Sequence, residues 1–100
     1  MADLSVEKLS SAIEKGKVRG FDEMREINGE NYFFQYAIKK QGEKYSTYFF
    51  CIPENKMDLV EDYATEEIKM FLNIDGAINY FKLKNIDIER FSYIKGTLPF

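Results

Sequence analysis

The sequence predicts an α+β domain: an N-terminal helix, a three- or four-stranded antiparallel sheet wound as a meander, and one or two C-terminal helices packed on it. Three observations carry that prediction. The stretch from Tyr32 to Ile52 is dense in aromatic and β-branched residues and is interrupted only by Gln41-Gly42, which reads as a β-hairpin. Asn28-Gly29 lies just before it, and this pair is the strongest short signal for a tight strand reversal. Apolar residues at both ends of the chain recur at the three- and four-residue spacing of helices.

Taken in order, Asp3 is placed to cap a helix running to about Lys15, with Val6, Leu9, Ala12 and Ile13 as a narrow apolar stripe. Gly16 follows where a left-handed residue ends such a helix. The segment from Phe21 to Ile27 becomes a first strand because Asn28-Gly29 turns it into the hairpin; its charges, Asp22, Glu23, Arg25 and Glu26, suit a sheet edge.

A two-residue turn at Gln41-Gly42 pairs Lys40 with Glu43, Ile38 with Tyr45, Tyr36 with Thr47, Phe34 with Phe49 and Tyr32 with Cys51. Strand side chains alternate, so these share one face, apolar apart from the tip, and that face is the expected core. The second face carries Phe33, Tyr48 and Phe50 at its base and polar residues toward the tip. Pro53 ends the strand. Asp58 with Glu61 then resembles a capping box, and Leu59, Val60, Tyr63, Ala64, Ile68, Phe71 and Leu72 follow at helical spacing, either as one helix through Asn73 or broken near Thr65. Asp75 is placed to cap a short helix from Ala77 to Lys84. The stretch from Ile86 to Lys95 fits a fourth short strand, with Ile86, Ile88 and Ile94 on one face, although Ile88, Phe91 and Ile94 also fit helical spacing; Gly96 breaks it, and Leu98-Pro99-Phe100 is apolar.

One hundred residues fit one domain over residues 1–100, long enough to bury a core without staples. Apolar content of 45% excludes a disordered chain. No apolar run reaches the roughly 20 residues of a membrane span, and no signal-peptide pattern opens the sequence, so the expectation is a cytoplasmic protein. Cys51 is single and lies in an apolar strand, where a buried, inert thiol is the ordinary role. Eleven Lys against three Arg, with abundant Ile, Asn, Phe and Tyr, match the A/T-rich coding bias of low-GC bacteria and their phages.

The chemistry that is missing is informative. The chain has no His, which removes Ser-His and Cys-His nucleophile pairs and the commonest transition-metal ligand. One Cys excludes thiolate zinc cages, and the six Gly form no phosphate loop. No catalytic residue, metal site or cofactor is therefore predicted. An enzyme would have to use Tyr and carboxylates, and Tyr32, Tyr36, Tyr45 and Tyr48 are the residues that would line its pocket.

The charge is uneven. Residues 1–50 hold eight bases and eight acids, whereas residues 51–100 hold six bases and nine acids. Nucleic acid is disfavoured as a partner because phosphate contact needs a basic surface. Asp58, Glu61, Asp62 and Glu66 share one face if the helix around them is continuous. That acidic face, and the aromatic face of Phe33, Tyr48 and Phe50, are the candidate partner-binding surfaces. The reading is a non-catalytic protein-binding domain of inhibitor, immunity or adaptor type, with a partner that presents a basic surface. The alternatives are a small enzyme or ligand-binding domain built on Tyr and carboxylates, and an obligate homodimer paired through a sheet edge or the second face.

Overall fold

The computed structural model describes residues 4–94 and, for side chains, residues 6–94. It is an α+β fold in which a five-stranded antiparallel sheet, rather than one of three or four strands, carries its two longer helices on one side. Helix α1 spans Leu4–Glu14, and Gly16 ends it with φ +87°, as the spacing predicts. The expectations for Asp3, Gly96 and Leu98-Pro99-Phe100 fall outside the described residues.

Strand β1 (Arg19–Ile27) turns into β2 (Glu30–Gln41) through Asn28 and Gly29, both at positive φ, the conformation a tight I′-type reversal needs. β2 turns into β3 (Lys44–Pro53) through Gly42-Glu43 instead of Gln41-Gly42. Gly42 has φ +64° and occupies the first turn position, which is where a II′-type turn demands glycine. The predicted register is thereby corrected. Tyr36 pairs with Phe49 and Phe34 with Cys51, not Phe34 with Phe49. The offset is two residues, so every side chain keeps its predicted face.

The largest correction follows Pro53. A 3-10 turn covers Glu54–Lys56, and the helix expected to run on toward Asn73 shrinks to α2, the four residues Val60–Tyr63. Asp58 and Glu61 form no capping box, since Leu59 is the N-cap and no side chain bonds there. Ala64 is extended, and Thr65–Phe71 form β4, antiparallel to β3. Glu, Lys and Met favour helices, but the preference is worth only tenths of a kcal/mol per residue. The unpaired edge of β3 offers a ladder of backbone hydrogen bonds, and that tertiary demand prevails.

Helix α3 (Ile74–Leu83) begins three residues earlier than predicted. Its cap is Asn73, whose Oδ1 accepts from the Gly76 N–H at 2.8 Å, in place of Asp75. A 3-10 turn at Ile88–Arg90 and a two-residue strand β5 (Ser92–Tyr93) replace the longer fourth strand. β5 pairs with Arg19 and Gly20 of β1, giving the strand order β4-β3-β2-β1-β5.

The core lies on the predicted face. Phe34, Tyr36, Ile38 and Tyr45 pack against Leu9 and Ile13 of α1, Ala77, Ile78 and Phe81 of α3, and Ile86, Ile88 and Phe91. Arg90 ties the last of these segments to β1: its Nη1 lies 2.8 Å from Glu23 Oε1, and its guanidinium stacks 4.4 Å above the Phe21 ring. The Cys51 thiol is free and half-buried at the margin of this core, more open than predicted.

Candidate functional site: the second face of the sheet

Both longer helices pack on one side of the sheet, where Leu9, Ile13, Ala77, Ile78 and Phe81 join the core cluster. Pairing across β1 to β4 decides what that other side carries. Met24 lies opposite Phe33, Gln35 opposite Phe50, Phe50 opposite Glu66, Tyr48 opposite Ile68 and Ser46 opposite Met70. Ala37, Tyr48 and Ile52 are buried here, apart from the helical core cluster. Phe33 and Phe50 are half-buried, while Met24, Ile68 and Met70 are about half exposed.

The aromatic residues interlock. The Phe33 and Phe50 rings meet edge-on with centroids 6.2 Å apart, and Tyr48 stacks on Phe50 at 6.4 Å with planes 11° apart. The Tyr48 hydroxyl donates to Glu66 Oε2 at 3.0 Å. Of the seven predicted binding residues, Phe33, Tyr48 and Phe50 are thus brought together, and Glu66 joins them. Its move is a correction: Glu66 belongs to β4 and faces the aromatic row, so it cannot share a helix face with Asp58, Glu61 and Asp62. Those three sit on α2 and the turn before it, exposed and outside any described ion pair. Asp62 and Glu61 remain on one short turn; the four-carboxylate face does not exist.

The residues that sequence reasoning missed here are Met24, Ile68 and Met70. For Ile68 and Met70 the signal was present as the alternation Glu66-Glu67-Ile68-Lys69-Met70, read instead at helical period. Recognising Met24 required the β1–β2 register.

Five tyrosine hydroxyls donate to glutamates: Tyr36 to Glu23 at 2.7 Å, Tyr32 to Glu30 at 3.5 Å, Tyr48 to Glu66, Tyr45 to Glu14 and Tyr80 to Glu67. The bond from Tyr45 holds the Glu14 carboxyl below its ordinary value, and that from Tyr80 does the same for Glu67. Burial first, and then the carboxylate acceptor, push the phenols of Tyr36, Tyr48 and Tyr80 above theirs. The pairs are dispersed over both sides of the sheet. Open depressions beside α3, lined by Val6, Asp75 and Lys82, and beside α1, lined by Lys8, Arg19 and Glu89, contain none of them.

These directions set a pH profile. A glutamate whose folded value is depressed stabilises fully above its unfolded value of 4.5, and the contribution is lost as pH falls through the folded value. A tyrosine whose folded value is raised stabilises fully below 10.0, and loses that contribution as pH rises toward the folded value. Urea unfolding should therefore show a plateau between these limits and a decline beyond each. Tyrosinate absorbance from Tyr36, Tyr48 and Tyr80 should appear together with unfolding at the alkaline end. Titration of every tyrosine near pH 10 in the folded protein would show that the buried pairs do not form.

No protein family, curated protein or solved structure matches this chain.

Proposed function

We propose that the chain is a non-catalytic protein-binding domain that presents the second face of its sheet to a protein partner. The observation that carries this reading is the apolar strip of Met24, Phe33, Phe50 and Ile68, one residue from each of four adjacent strands, on the side that α1 and α3 leave to other contacts. Large, partly exposed side chains on rigid strands are what an interface core needs, because they lose little conformational freedom on docking. Asp58, Glu61 and Asp62, on the segment that leads into β4, favour a partner whose rim is basic, and such charges act mainly on the rate of association.

The tyrosine–glutamate pairs support a binding role over acid–base chemistry. The shifts keep these phenols protonated and the Glu67 carboxyl ionised, and move them away from the neutral range where a general acid or base works best.

The test compares the immobilised wild-type domain with Met24→Glu and Phe33→Glu, both folded by circular dichroism, for capture of proteins from the native host. The expected result is a discrete set of proteins retained by the wild type and lost by both variants. Equal retention by all three would overturn the proposal.

A further inference from the structure

We infer that two copies of this chain pair through the outer edges of their β4 strands, joining two five-stranded sheets into one continuous antiparallel sheet. β4 ends the strand order, so one side of Thr65–Phe71 is bonded to β3 and the other meets no strand among the described residues. Such an edge is a template for another strand unless it is shortened, charged or covered. β4 is seven residues long, and most of it is exposed.

Symmetry restricts how β4 can meet itself. A two-fold axis that continues a sheet must stand perpendicular to it, so each face is preserved, and paired residues must then lie on the same face. Pairing therefore centres on a residue, not between residues. Centred on Glu67 it sets glutamate against glutamate, and centred on Lys69 it sets lysine against lysine. Centred on Ile68 it pairs all seven residues: Thr65 with Phe71, Glu66 with Met70, Glu67 with Lys69 and Ile68 with its own copy. Each opposite-charge pair occurs twice, and no like charges oppose.

The side chains are available for it. Glu67 and Lys69 lie on the helix side with side chains 37% and 52% exposed; Glu67 accepts from Tyr80 and reaches its own Lys69 at 3.8 Å, and Lys69 lies 5.5 Å above the Tyr80 ring, so each keeps exposed surface for a second partner. Ile68 and Met70, 44% and 46% exposed, would gather on the other side around the axis. Exposed Leu72 would come beside Ala64 and Tyr63 of the second copy. The other long open edge, β1, is protected from the same fate: centred on Met24 it would oppose Asp22 and Glu26 twice.

This pairing uses the β4 edge and leaves Met24 and Phe33 to a partner, so it is separable from the binding role proposed above. Light scattering on the full chain at micromolar concentration should give a dimer mass. Glu67→Lys and Lys69→Glu each place like charges twice across the axis, and each alone should weaken the dimer about tenfold or more. An equimolar mixture of the two variants restores both opposite-charge pairs and should recover the dimer mass. A monomer mass for the wild type, or a mixture that stays monomeric, would overturn the inference. Loss of host-protein capture by Met24→Glu with a monomer mass for the wild type would support partner binding alone. A lost dimer with unchanged capture would support the edge pairing alone.

Discussion

Phe81→Ala should lower the stability of the domain by about 3–5 kcal/mol in urea unfolding. Phe81 is fully buried, and its ring lies 5.0 Å from those of Tyr80 and Phe91 and 6.0 Å from that of Tyr36. It therefore joins α3, the centre of β2 and the C-terminal segment through one side chain. Three elements held by separate backbone hydrogen bonds cannot all move inward to fill the vacated volume, so the cavity persists and the cost stays near the upper end of the range. That is a large share of the roughly 5–15 kcal/mol available to a domain. Leu83, on the same helix but 77% exposed, is the control; its replacement by alanine should change stability by less than about 0.5 kcal/mol. Equal effects at the two positions would show that α3 does not dock through Phe81.

Gly20→Ala should be as severe for a different reason, costing about 3 kcal/mol or more. A Cβ at Gly20 would lie 2.1 Å from the carbonyl oxygen of Tyr36 and 3.0 Å from the Cα of Ala37. Both atoms are backbone, so no side-chain rotation relieves the overlap. β1 is also held from both sides at this point, by Ala37 of β2 and Ser92 of β5, and cannot shift away from one without disturbing the other. Gly16→Ala separates this steric effect from ordinary glycine preference. Gly16 has open space around its Cα, and alanine there meets only the left-handed backbone, at about 1–2 kcal/mol. Thermal unfolding of the two variants should rank Gly20→Ala well below Gly16→Ala. The reverse order would mean that β1 and β2 do not approach this closely.

The elements legible from the sequence were those that local chemistry specifies. α1, the Asn28-Gly29 reversal and the alternation of β2 and β3 depend on spacing and on backbone conformations that few residues adopt, and each lies where the residues indicate. The buried face of the hairpin was equally legible, because a register offset of two residues changes every partner but no face. The grouping of Phe33, Tyr48 and Phe50 followed from that alone.

Tertiary structure decided the rest. The chain from Asp58 to Phe71 carries apolar residues compatible with both periods, and the open edge of β3 selects the strand. That choice dissolves the acidic helix face, turns Glu66 toward Tyr48 and adds Ile68 and Met70 to the second face of the sheet. The tyrosine–glutamate bonds were likewise beyond local reasoning. Glu23 meets Tyr36 across thirteen residues and Arg90 across sixty-seven, and only the folded sheet brings groups so far apart in the chain within 3 Å.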